Sequence, residues 1–281
     1  MSDYKFIKSA CVLGVLGAVV LTTQTSYARS LVPRDCRIAA RKAGLNPANA
    51  IFVQPNTPYT GGSGPELIIG TQRNDLINGT DGSDVICAKD GNDIINGLGG
   101  NDVIIADKGS DSVDGGDGDD FISGGSGDDD LSGELGNDTI EGNNGDDSID
   151  GGSGNDTLYG NNGQDLIDGG PGFDMLKGGN GKDIEDGGED DDTINGDNGK
   201  DQLGGGPGND TLNGGNGDDS LTGGDGDDTL NGGNGSDDLD DDAGFETFNG
   251  GLGNDAIDDV DGADQPNIFN NRVDRRDSPN R

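Results

Sequence analysis

The apolar residues of this chain keep a nine-residue beat. Between Gly61 and Asp258 a large apolar side chain recurs at every ninth position, as in Leu203, Leu212, Leu221, Leu230 and Leu239. Two residues before each of these stands a carboxylate: Asp201, Asp210, Asp219, Asp228 and Asp237. The full unit reads G-G-x-G-x-D-x-U-x, with U apolar, and 22 copies follow one another without insertion or deletion. An unbroken period of this kind marks an architecture in which each unit stacks on its neighbours.

The sixth position is Asp in 20 copies, the others being Glu66 and Glu246. The eighth is apolar except at Glu185, the fourth is Gly except at Arg73 and Asp190, and the first is Gly in 19 copies. Glycine at positions one and four points to backbone conformations that a Cβ resists, so the first six residues are read as a tight turn. Positions seven to nine, as in Thr211-Leu212-Asn213, read as a short strand with one side chain inward and two outward. Two units, 18 residues, then close one coil, and coils stack at about 4.8 Å. The expectation is a rod of about 11 coils, roughly 50 Å long, around a thin Ile/Leu core. The coil at 178–195 is expected to be its weak point. There Glu185 sets a costly unpaired carboxylate at an inward position, and Asp190 replaces a turn glycine.

This unit resembles the RTX (repeats-in-toxin) or haemolysin-type calcium-binding nonapeptide repeat, and the resemblance covers residues 61–258. It implies an all-β fold, a right-handed parallel β-roll (β-solenoid). It also implies Ca²⁺ held between stacked turns by sixth-position aspartates and turn carbonyls. Carried over residue by residue, those ligands are Asp75, Asp84, Asp93, Asp102, Asp111, Asp120, Asp129, Asp138, Asp147, Asp156, Asp165, Asp174, Asp183, Asp192, Asp201, Asp210, Asp219, Asp228, Asp237 and Asp255.

Charge leads to the same metal independently. Residues 61–258 carry 49 Asp and Glu against 6 Lys and Arg, a net of −43, and compacting that charge is self-repulsive. Hard cations prefer oxygen ligands, which this region supplies in carboxylates and carbonyls while holding no His. With sites between units n and n+2, the repeats offer room for at most about 20 ions, whose charge nearly cancels that of the roll. Gly/Asp-rich composition by itself reads as disorder, but disorder needs no apolar residue at every ninth position. Folding is therefore expected to depend on calcium. The same negative field excludes a nucleic-acid partner.

Residues 1–28 read as a secretory signal peptide, with Lys5 and Lys8, an apolar stretch from Ala10 to Leu21, and Ser26-Tyr27-Ala28 as the cleavage site. The stretch is short for a membrane span, so the mature chain is expected to be extracellular with no span. Residues 29–60 read as a basic cap and linker, with a helix over Asp35 to Ala43 and a charge-complementary role against the first acidic coil. Residues 259–281 lose the repeat and read as a disordered tail. Cys36 and Cys87 are the two cysteines left after removal of 1–28, and in an oxidising compartment they read either as one disulfide or as two unrelated thiols.

The chain holds no His, which removes His-based triads and HExxH zinc sites, and every Asp of the roll repeats on a ladder where catalytic carboxylates need two different environments. A non-catalytic reading follows: a secreted calcium-binding structural or interaction module. The alternative is a calcium-dependent adhesin or ice-binding protein with a cell-surface or polysaccharide partner. It rests on Thr193/Asn195, Thr211/Asn213, Thr229/Asn231 and Thr247/Asn249, pairs spaced 18 residues apart on one face.

Overall fold

The computed structural model describes residues 19–20, 33–241 and 247–259 of the 281-residue chain. The readings for 1–28 and 259–281 lie outside the described residues, apart from Val19–Val20 and Asp259. Val19–Val20 pairs antiparallel with Ile51–Phe52.

The nine-residue period folds into a parallel β-solenoid of about 11 turns. Each unit contributes one strand, and successive strands alternate between two sheets, which hold 13 and 12 strands among the described residues. Within the repeats, strand partners are 18 residues apart. Ile122 sits beside Ile104 and Ile140 in the first sheet, and Leu131 beside Val113 and Ile149 in the second. One apolar side chain per unit therefore enters the gap between the sheets. The resulting row, from Ile68 and Ile77 to Phe248 and Ile257, is buried along its whole length. In-register stacking removes every unit but the terminal ones from the sheet edge, the exposure that makes a lone strand unstable.

The strands are longer than the sequence pattern implies. They run from the seventh position of one unit to the third of the next, as in Val103–Lys108 and Phe121–Ser126, so the turn shrinks to positions four to six. Left-handed backbone occurs at the fourth position, as expected, with Gly91 at φ 136°. It also occurs at the second position, where Lys89, Leu98 and Asp107 adopt φ of 86°, 82° and 84°. The first-position glycines do not need it. They are small for a different reason: an ideal Cβ on Gly97 would meet the Gly115 carbonyl oxygen at 2.3 Å and Asp102 Oδ2 at 2.4 Å. The coil at 178–195 keeps its register despite its two departures. Glu185 pairs with Ile167 and Leu203, and Asp190, at φ 82°, still donates its N–H to the Pro207 carbonyl at 2.9 Å.

Helix α1 (Arg34–Lys42) has Asp35 in its first turn and Arg41 and Lys42 in its last, matching the helix dipole, and Gly44 ends it at φ 77°. It docks through apolar contact. Cys36 and Ala40 pack on Leu67, Ile69, Val85 and Cys87, the outward residues of the first strands. The helix thus lies on the flank of the sheet. The end of the roll is covered by the short strands Ile51–Phe52 and Tyr59–Thr60, which pair with Leu67–Ile69 and Leu76–Thr80. Cys36 and Cys87 form a disulfide, with their Cα atoms 6.3 Å apart.

Candidate metal sites

All 20 sixth-position aspartates predicted from the sequence, from Asp75 to Asp255, are buried. The turn aims each carboxylate back toward the first residue of its own unit, where only a glycine or alanine leaves room. Stacking then arranges them in two columns. The backbone N–H of each aspartate donates to Oδ1 of the aspartate one coil further on, as Asp93 does to Asp111 at 2.7 Å and Asp102 to Asp120 at 2.7 Å. One column runs from Asp75 to Asp255 and the other begins at Asp84. The structure thus brings the predicted residues together within each column and separates the two columns by the width of the roll.

This arrangement uses one oxygen of each carboxylate and leaves the other. In 17 aspartates, from Asp93 to Asp237, Oδ2 is buried without a hydrogen-bond partner. A buried, unpaired carboxylate oxygen is among the costliest features a fold can carry. Burial first, and then the flanking carboxylates, raise these groups, while the backbone N–H lowers them. Asp102 is pushed up to about 8 and Asp93, Asp129, Asp138, Asp165, Asp192 and Asp201 to about 7. Asp120, Asp147, Asp174, Asp210 and Asp237 rise to about 6.

A row of inward, unpartnered anionic oxygens one coil apart fits a hard divalent cation. No three acidic, His or Cys side chains converge among the described residues.

The N-terminal end is different. Asp75 accepts from the Thr71 N–H into Oδ2 at 2.6 Å and from the Thr71 hydroxyl into Oδ1 at 3.1 Å. Asp84 accepts from the Thr80 N–H into Oδ2 at 2.7 Å and from the Glu66 N–H into Oδ1 at 2.6 Å. Lys89 extends its ammonium to the Gly70 carbonyl at 2.6 Å, and burial lowers its proton affinity. A positive charge fixed to the chain therefore sits against a backbone carbonyl of this coil. The repeat pattern does not point to Thr71, Thr80 and Lys89, which depart from its second-position Gly. The signal was present in two successive threonines and one lysine where later units favour Gly, Asn or Asp.

Glu185, the carboxylate at an inward eighth position, is buried to 2% exposure with neither oxygen hydrogen-bonded to a side chain. Burial, followed by the charges of Asp183 and Asp201, raises it well above the usual range.

A family profile described as the RTX calcium-binding nonapeptide repeat (4 copies) matches in overlapping segments from 60–95 to 204–239, spanning most of the roll. None of the curated proteins matches the chain.

Proposed function

The chain belongs to the RTX calcium-binding nonapeptide repeat family, and from that premise we propose that it is a secreted, non-catalytic module whose roll folds on binding Ca²⁺. The observation that carries this reading is the set of 17 buried Oδ2 atoms without partners. Bound calcium would supply positive charge and a preference for six to eight oxygen ligands. The proposed ligands are the sixth-position aspartates, Asp75 to Asp255, with occupancy of at most about 20 ions. Each aspartate orients its carboxylate through the N–H of the preceding coil and offers the free oxygen to the turn. The glycines keep the turn open enough for that oxygen to lie inside. The net of −43 over 61–258 means that compaction without counter-charge is opposed by self-repulsion.

Secretion is the setting that this repeat type suggests, and the Cys36–Cys87 disulfide suits an oxidising compartment. The signal peptide at 1–28, the cap at 29–60, the roll at 61–258 and the tail at 259–281 are proposed on the sequence. Among the described residues no helix is long and apolar enough to cross a membrane. A calcium titration followed by circular dichroism and size-exclusion chromatography tests the reading. Millimolar calcium is expected to produce β signal and compaction, and a chain equally compact in excess chelator at neutral pH would refute it.

A second reading, a surface binder, draws on one observation. Thr193, Thr211, Thr229 and Thr247 are exposed and in register along one sheet. Their Asn neighbours are less available, since Asn213 donates to Asn195 at 3.3 Å and Asn231 to Asn213 at 3.1 Å. Changing the four threonines to Lys leaves core and carboxylates intact. Ice shaping or polysaccharide binding by the natural chain, lost in that variant, would promote this reading.

A further inference from the structure

We propose that Glu185 is a third carboxylate ligand at one calcium site, the one between Asp183 and Asp201, and that this makes it the tightest site of the roll. The inference rests on the reading that sixth-position aspartates hold calcium, and it extends that reading to a residue outside the repeat pattern.

The eighth position is where every other unit places an apolar side chain, so a carboxylate there has no part in forming the core. Yet Glu185 does not turn outward. It lies 2% exposed, on the same side as Asp183 of its own unit. An ideal Cβ on Gly178 would meet Asp183 Oδ2 at 2.5 Å and Glu185 Oε1 at 2.6 Å, so the two oxygens crowd the same side of that glycine. Neither oxygen has a side-chain partner, and neither has Asp201 Oδ2 on the next coil. Asp183 and Asp201 are already joined, the N–H of Asp183 donating to Asp201 Oδ1 at 3.0 Å.

The Gly178 N–H offsets part of the cost of burying this charge, but among the described residues no cationic side chain pairs with it. Lys177, on the preceding strand in the other sheet, is paired with Asp197 at 3.0 Å. An uncompensated carboxylate among Ile167, Leu203 and the rest of the apolar row is expected to destabilise the fold strongly. A cation shared with Asp183 and Asp201 turns the same side chain into a stabilising one. The affinity of an oxygen site for calcium rises with the number of charged ligands, and three carboxylates exceed the two available elsewhere in the columns. The three do not converge beforehand, so the set is completed as the side chains close on the ion.

The test compares the full chain with Glu185→Leu, which restores the apolar pattern, and Glu185→Gln, which keeps one oxygen and removes the charge. Calcium binding is read by competition with a fluorescent chelator, and local order by hydrogen exchange of the strand Ile184–Glu189 as calcium is raised. The natural chain is expected to hold one ion about tenfold more tightly than the remainder, and to protect this strand at lower calcium than the strand Ser220–Asp225. In Glu185→Leu the tight ion is lost and the other sites persist. In Glu185→Gln it is weakened. Unchanged titration curves in both variants, with protection of this strand gained rather than lost in the Leu variant, would overturn the proposal and leave Glu185 as a tolerated buried acid. A natural chain that binds no calcium would overturn both this inference and the function on which it rests.

Discussion

The first coils of the roll and those beyond Asp93 are written in the same nine-residue unit, yet they settle their carboxylates in opposite ways. At Asp75 and Asp84 both oxygens are satisfied by protein groups, chiefly the N–H and hydroxyl of Thr71 and Thr80. From Asp93 to Asp237 one oxygen of each is satisfied and the other is buried alone. The first coils also carry the docked helix, the disulfide and the ammonium of Lys89 against Gly70. The difference teaches that dependence on metal is set unit by unit, by what stands beside the aspartate. The N-terminal end is equipped to stay ordered alone and to offer the next coil a template, whereas each later coil adds an unpaired oxygen with every turn.

The largest expected effect is a split response to chelation at neutral pH. Amides of Val85–Asp90 should remain protected from hydrogen exchange while those of Thr139–Asn144 and Thr211–Asn216 exchange freely. Uniform loss along the chain would erase the contrast.

Breaking the disulfide should remove much of that resistance. Cys36 and Cys87 are 51 residues apart, and closing a loop of that size contributes about 2–4 kcal/mol. A Cys36→Ser, Cys87→Ser variant in chelator should therefore lose protection at Val85–Asp90, while calcium-dependent order of the distal coils persists. Equal protection with and without the bond would show that helix docking alone secures this end.

Acid should act on the distal coils with a sign set by their raised carboxylates. All are raised above the ordinary 3.8, and those of Asp120, Asp138 and Asp102 reach about 6, 7 and 8. A group raised on folding binds its proton more tightly in the folded state, so its contribution is full below the ordinary value and is lost as pH climbs through the folded one. In excess chelator the β signal should accordingly be greatest near pH 4 and decline between about pH 4 and 8. In calcium the dependence should reverse, because metal competes with protons for the same oxygens. A chelated chain that gains β signal as pH rises would contradict the assignment.

Single carboxylates sharpen the comparison further. Asp138→Asn should weaken the calcium-bound roll but strengthen the chelated one, since it removes an unpartnered anion. Asp84→Asn should cost about 1–3 kcal/mol already in chelator, because its oxygens accept protein hydrogen bonds without metal. The smallest change, Thr80→Ala, should cost about 1 kcal/mol and be felt only at the N-terminal end. Thermal melts at several calcium concentrations check all three, and identical calcium responses of Asp138→Asn and Asp84→Asn would refute the distinction.

The repeat by itself determined the two-unit coil, the 18-residue register and the apolar row. A strict period allows one local geometry, and stacking it in register is the arrangement that buries every eighth position together. Three matters were decided only in three dimensions. Strand length was underestimated because the first-position glycine reads as a turn residue, while its smallness answers to the carboxylate and the adjacent coil packed against it. The placement of α1 depended on outward residues such as Leu67, Ile69 and Val85 forming an apolar patch, which no linear pattern of charge reveals. The fate of each carboxylate depended on its neighbours in space: Thr80 for Asp84, Asp183 and Asp201 for Glu185. Periodicity specifies what every unit shares. The contacts that differ, made across a coil or between cap and flank, decide where this roll stands on its own hydrogen bonds and where it is left with an anionic oxygen to satisfy.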